Sequence, residues 1–140
     1  MGMRGEMNKL KDFGFKGLIV WQKAFQLCLK VYKFSEAFPK NEIYGLIQQI
    51  RRAAISIPSN IAEGYGRSSE KEHRQYLAIA YGSLCELETQ YLLSISLKYA
   101  ENNETINLLI KEVGSMLYRM INPKSSCSDS SISSILAPSS

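Results

Sequence analysis

The chain has 140 residues, of which 45% are hydrophobic and 21% are charged. This length and balance fit one soluble globular domain and exclude two separate cores. No run of about 18 apolar residues occurs, and the basic N-terminus lacks the apolar stretch of a signal peptide, so we expect a cytoplasmic protein without membrane contact.

The net charge of +4 is unevenly distributed along the chain. Residues 1–40 hold eight Lys/Arg against three Asp/Glu, whereas residues 81–140 hold four against six. This asymmetry is compatible with contact to nucleic acid or to an acidic partner. It is also compatible with a solvated helix face, and charge alone favours that simpler interpretation.

The three cysteines are odd in number and match no CxxC metal or redox pattern. Cys28 and Cys85 lie in segments of apolar periodicity, where a buried free thiol is the usual state. Cys127 lies near the C-terminus. We therefore expect a reducing compartment.

Hydrophobic periodicity predicts helices nearly throughout the chain. The first covers about residues 18–38 and stops at Pro39, because the residue before a proline avoids the helical region. A second helix begins with Asn41 as its N-cap and is ended by Gly64 and Gly66.

Two further helices follow. Ser69–Glu72 is a capping-box pattern that opens a third helix, which extends to about Tyr99. Asn102–Asn103 reads as a turn, and the fourth helix runs from about Glu104 to Ile121.

Four helices with short connections predict an all-α protein, an antiparallel up-down-up-down four-helix bundle over residues 17–122. Residues 1–16 read as a flexible basic N-terminal extension. Half of the residues in 123–140 are serine, which predicts a disordered tail.

The stretch QIRRAAISIPSNIAEGYGR at 49–67 holds a proline inside a helical pattern. An uncompensated interior proline costs about 3 kcal/mol or more. Since the apolar stripe continues beyond Pro58, we predict a bent but continuous helix, with Ser56, Ser59 and Asn60 offering polar groups to the freed backbone. The GYG tripeptide that follows lacks a preceding strand and a GK[ST] sequence, so no phosphate-binding loop is predicted.

The paired arginines in this stretch allow two interpretations. Arg52 shares a polar face with Glu63, so charge-assisted contacts of Arg52 with Glu86 or Glu63 are expected between or along helices. Alternatively, Arg51 and Arg52 fix the helix register or a subunit contact.

An active site is not predicted. The single histidine, His73, lies among charged residues in a first helical turn, and no Ser/Cys–His–Asp set can be assembled. Glu63, Glu86 and Glu88 lack the ExxH pairing of di-iron bundles. We expect no enzyme, no cofactor and no metal, and a ligand or metal site in the bundle core is the weakest alternative.

The first helix also carries more apolar surface than one stripe. Val20, Trp21, Phe25, Leu27 and Leu29 spread over more than one face of it. Such a helix must bury the surplus against something else, and a second chain is the simplest candidate.

Four motifs together resemble the bacterial 23S ribosomal RNA intervening-sequence proteins, a family that includes the accessory variability determinant proteins of diversity-generating retroelements. They are LIVWQKA at 18–24, FPKNEIYGL at 38–46, the stretch at 49–67 quoted above, and YLAIAYGSLCELETQ at 76–90. The likeness covers about residues 16–121.

This resemblance implies a four-helix bundle that assembles into a ring-like homopentamer with a basic surface. The retroelement members bind nucleic acid and a reverse transcriptase. Positions that match the family signature are interpreted mainly as bundle and subunit-packing residues: Arg51, Arg52, Pro58, Asn60, Glu63, Gly64, Gly82, Ser83, Glu86 and Glu88.

The leading hypothesis is a non-enzymatic oligomer that binds RNA or DNA through phosphate contacts. The candidate contact residues are Lys23, Lys30, Lys33, Arg67, Lys71 and Arg74. The alternative is a protein-interaction scaffold that docks a reverse transcriptase or a ribosomal component, in which exposed aromatics such as Tyr65 or Tyr99 matter more than the lysines.

Overall fold

The computed structural model describes residues 14–123. Within that range the chain forms four α-helices and no strand, so the all-α prediction is confirmed. The helices are α1 (Ile19–Ser35), α2 (Leu46–Tyr65), α3 (Glu70–Ser96) and α4 (Glu104–Ile121), with short 3₁₀ helices at Gly14–Gly17 and Lys40–Glu42. The rest of the predicted N-terminal extension and of the Ser-rich tail lies outside the described residues.

The helices enclose one core. α2 packs against α1 and α3, and α4 packs against the same two helices. Each helix contributes fully buried aliphatic side chains, for example Leu27, Ile57, Leu87 and Val113. Grooves lie between α1 and α2 and between α3 and α4.

The connection between α1 and α2 differs from the prediction. α1 ends at Ser35, and α2 begins only at Leu46, with Gly45 at its N-cap position, so Asn41 caps no α-helix. Tertiary contacts hold the intervening residues instead. Phe38 is buried against Phe34 and Tyr99, at ring distances of 5.6 and 5.7 Å.

The predicted starts of α3 and α4 are confirmed by side-chain caps. Ser69 Oγ accepts a hydrogen bond from the Glu72 amide at 3.1 Å, and Asn103 Oδ1 accepts one from the Ile106 amide at 3.0 Å. Each satisfies an amide that has no partner within its own helix.

α3 ends at Ser96, earlier than predicted. Lys98 takes the left-handed conformation, with φ of 62°. The Tyr99 amide donates to the Ser94 carbonyl at 2.9 Å, and the Lys98 amide donates to the Ile95 carbonyl at 2.9 Å. These bonds form a helix-ending motif whose left-handed position is normally glycine, so a lysine there did not predict the end of the helix.

α2 runs through Pro58 without interruption, as predicted. Asn60 Nδ2 donates to the Ser56 carbonyl at 2.8 Å, so Asn60 supplies a polar group to the backbone. Ser56 instead joins two helices, because its hydroxyl lies 2.7 Å from that of Ser83 on α3. The Ser59 side chain is exposed and forms no hydrogen bond within residues 14–123.

Gly64 lies inside α2 and does not end it, which corrects the prediction. A Cβ at this position would lie 2.9 Å from Tyr76 Cβ and 3.1 Å from the His73 carbonyl oxygen. Glycine is therefore required where α2 and α3 approach most closely. His73 Nδ1 lies 2.9 Å from the Gly64 carbonyl oxygen, and the helix ends at Gly66.

Candidate nucleic-acid and assembly surfaces

Two of the six candidate phosphate-binding residues are occupied within the chain. Lys23 Nζ lies 2.7 Å from Glu112 Oε2, and this ion pair joins α1 to α4. Arg67 contacts Glu63 Oε1 at 3.1 Å and donates to the Tyr76 hydroxyl at 2.9 Å. Its guanidinium also lies 4.8 Å from the Tyr76 ring centre.

The other four candidates are free cations. Lys30, Lys33, Lys71 and Arg74 are exposed and form no ion pair with any residue of the described chain. Lys30 and Lys33 line a shallow groove between α1 and α4, whereas Lys71 and Arg74 lie in the first two turns of α3. Each pair can therefore approach a phosphate without first breaking an internal contact.

Arg51 fastens α2 to α1. Its Nε donates to Ser35 Oγ at 2.8 Å, and its Nη2 donates to the Tyr32 carbonyl at 3.2 Å. The guanidinium also covers the Tyr32 ring at 4.6 Å. This arginine holds the helix register, as one of the two sequence interpretations proposed.

Arg52 behaves differently from its neighbour. It is exposed and makes no hydrogen bond or ion pair within residues 14–123. The expected contacts with Glu86 and Glu63 are not formed, because Arg52 lies beside Tyr32 and Tyr44 at the α1 side of α2. Glu86 accepts from Gln90 instead, and Glu63 accepts from Arg67.

Arg51 and Arg52 border an open groove of about 510 Å³ between α1 and α2, called here the α1/α2 groove. Its other lining residues are Tyr32, Ile43, Tyr44, Ile47, Gln48 and Ile55. Tyr44 is 88% exposed and Ile43 is 55% exposed. The groove thus joins a large apolar surface to two cations and no acid.

A second groove of about 500 Å³ lies between α3 and α4, called here the α3/α4 groove. Tyr81, Leu84, Cys85, Glu88, Tyr91, Leu92, Asn107, Ile110, Lys111, Gly114 and Ser115 line it. Glu88 and Lys111 form no ion pair within residues 14–123, and Leu92 is 55% exposed. Partial burial, and then the Glu88 carboxylate, raise the pKa of the Cys85 thiol, which keeps it protonated at neutral pH.

The described part of the chain contains neither a metal-binding cluster nor a membrane-spanning helix. Residues 14–123 contain no group of three or more His, Cys, Asp or Glu that could hold a metal ion. None of the described helices is both long enough and apolar enough to cross a membrane.

Comparison with known families assigns the fold. Residues 16–119 match the family model of the 23S rRNA-intervening sequence protein. The chain belongs to this family. A search of curated proteins finds no significant match.

In this member of the 23S rRNA-intervening sequence family, the match begins at Lys16 and ends two residues before the end of α4. It covers all six candidate cations and both grooves. The α1/α2 groove was not predicted, because a second helix starting at Asn41 would include Ile43 and Tyr44, whereas the helix begins only at Leu46. Tyr99 is also less available than expected, because its hydroxyl donates to Glu42 Oε2 at 2.9 Å.

Proposed function

We propose that this chain is a non-enzymatic, ring-forming homo-oligomer, a pentamer as the family resemblance implies, that binds nucleic acid through phosphate contacts. The observation that carries the proposal is the family match over residues 16–119, combined with four exposed cations that form no ion pair with any described residue. Catalysis plays no part in this function.

The bundle in this proposal is antiparallel, and contacts near the helix ends support it. Arg51, in the first half of α2, bonds to Ser35 at the end of α1. His73, in the first turn of α3, meets Gly64 near the end of α2. A connection of seven residues, 97–103, then returns the chain into α4.

The phosphate contacts are assigned to Lys30, Lys33, Lys71 and Arg74. Lysine and arginine side chains on a surface neutralise phosphates without reading the base sequence. Lys23 and Arg67 contribute less, because binding a phosphate would have to compete with Glu112 and Glu63.

Salt dependence tests this function. Four phosphate contacts predict that affinity falls by roughly 50- to 150-fold between about 50 and 200 mM salt, from the release of condensed counterions. Fluorescence anisotropy with labelled RNA and DNA of mixed sequence measures it. Binding that is absent at low salt, or that stays constant across this range, would contradict the proposal.

Charge reversal locates the surface. The double variants Lys30→Glu/Lys33→Glu and Lys71→Glu/Arg74→Glu should each weaken binding at least tenfold and flatten the salt slope. Lys40→Glu/Lys98→Glu is the matched control, since both residues are exposed cations outside the proposed surface. Equal losses in all three variants would show that only net charge matters.

A second candidate function is a scaffold that docks a protein partner such as a reverse transcriptase. Exposed aromatic side chains favour it, because Tyr44 and Tyr65 are 88% and 46% exposed. In that case Lys30→Glu/Lys33→Glu leaves docking of the partner intact, as a pull-down with the purified partner would show.

A further inference from the structure

The α1/α2 groove and the α3/α4 groove lie on opposite sides of the molecule. They share no helix, and the contacts of α2 with α3 and of α1 with α4 separate them. A chain with two different surfaces on opposite sides can join copies head to tail, and such a contact closes into a ring when the rotation permits.

The α1/α2 groove presents a projecting aromatic side chain on a fixed loop. Tyr44 is the most exposed large apolar residue of the described chain. The loop before it is held by the Glu42–Tyr99 hydrogen bond of 2.9 Å and by the buried ring of Phe38. A rigid, exposed tyrosine among isoleucines is typical of the anchor residues of protein interfaces.

Each groove carries a charge that is unpaired within the described residues: the α1/α2 groove holds Arg52 beside Arg51, and the α3/α4 groove holds Glu88 together with Lys111. Arg52 has no acidic partner in its own chain, and Glu88 has no basic one, within residues 14–123. Glu88 lies in a groove whose apolar residues include the exposed Leu92. An arginine and a carboxylate that meet across an interface form the strongest kind of ion pair.

We propose that the α1/α2 groove of one copy packs against the α3/α4 groove of the next, with Tyr44 entering the second groove and Arg52 facing Glu88. This inference rests on the homo-oligomer of the proposed function and names the two surfaces that build it. A cavity of about 500 Å³ is large enough to admit a tyrosine ring.

A second copy fits these surfaces better than nucleic acid does. Interfaces with nucleic acid are more polar and more positively charged than those between proteins. The α1/α2 groove instead exposes Ile43, Ile55 and two tyrosines beside its arginines, and one of these, Arg51, is already held by Ser35.

A charge swap tests the pairing. Arg52→Glu and Glu88→Arg should each lower the mass of the full-length protein, measured by light scattering at micromolar concentration, because like charges then face each other. The double variant Arg52→Glu/Glu88→Arg should restore the wild-type mass. Arg74→Glu is the control, because it reverses an exposed charge that lines neither groove. It should leave the mass unchanged.

Tyr44→Ser tests the apolar part of the same contact and should also dissociate the assembly. Circular dichroism checks that each variant keeps its helices, which is expected because all the altered side chains are exposed.

The outcomes separate this inference from the proposed function. A wild-type protein that is a monomer would overturn both. A wild-type oligomer whose mass is unchanged in Arg52→Glu, Glu88→Arg and Tyr44→Ser would overturn only the assignment of these surfaces. Variants that stay oligomeric but lose RNA binding through Arg52 would show that the α1/α2 groove serves nucleic acid instead.

Discussion

At the residue scale, two adjacent arginines of α2 have different surroundings. Arg51 is fixed by Ser35 and Tyr32, whereas the side chain of Arg52 makes no hydrogen bond or ion pair within residues 14–123. Their difference arises from a rotation of about 100° around α2. One residue of offset decides whether an arginine faces α1 or solvent.

Two glycines at this scale give opposite predictions. Gly64→Ala should lower the free energy of unfolding by roughly 1–3 kcal/mol, because the added Cβ would meet Tyr76 Cβ at 2.9 Å. Gly82→Ala should raise it by up to about 1 kcal/mol, because no atom lies within 4 Å of a Cβ there and alanine favours helix. Urea unfolding at one protein concentration compares them, and equal effects would contradict the close approach at Gly64.

Lys98 supplies a second residue-scale prediction. Its φ of 62° is costly for any side chain with a Cβ. Lys98→Gly should therefore stabilise the fold by roughly 1 kcal/mol in thermal or urea unfolding. Lys98→Ala is the control that removes the charge but keeps the strain, and a gain of the same size from alanine would refute the backbone explanation.

At the element scale, a helix end that is set by a neighbouring residue was easier to predict than one that is not. The starts of α3 and α4 were predictable because their caps, Ser69 and Asn103, lie within three residues of the amides they satisfy. The start of α2 was not predictable. No side chain caps it, and the connection before it is held by a hydrogen bond between Glu42 and Tyr99, which are 57 residues apart in the chain.

That long-range contact gives a pH-dependent prediction. The hydrogen bond to the Glu42 carboxylate, with smaller effects of burial and of the Glu42 charge, raises the pKa of Tyr99 above its usual value of 10.0. Because the folded pKa is the higher one, the contact stabilises the fold fully below pH 10 and is lost as the pH rises through that raised pKa.

The stability difference between wild type and Tyr99→Phe measures this effect. It should be constant from neutral pH to about pH 9 and should shrink well above pH 10. Glu42→Gln should remove most of the pH dependence. A difference between wild type and Tyr99→Phe that stays constant throughout would show that this hydrogen bond does not stabilise the connection.

At the scale of the whole molecule, the four helices of the described chain were predictable from the sequence, but the contacts between them were not. The six cations could be named from their type and position, whereas the engagement of Lys23 with Glu112 required the fold, because these residues are brought together only when α4 packs on α1. The two grooves likewise could not be predicted from the sequence, because each lies between two helices.

Assembly is the claim on which the rest of the account depends, because both the joined grooves and the repeated cationic surface require several copies. Light scattering on the full-length protein at micromolar concentration measures it directly. We expect a particle of five times the 15.8 kDa chain mass, about 79 kDa. A particle of 15.8 kDa at that concentration would contradict it.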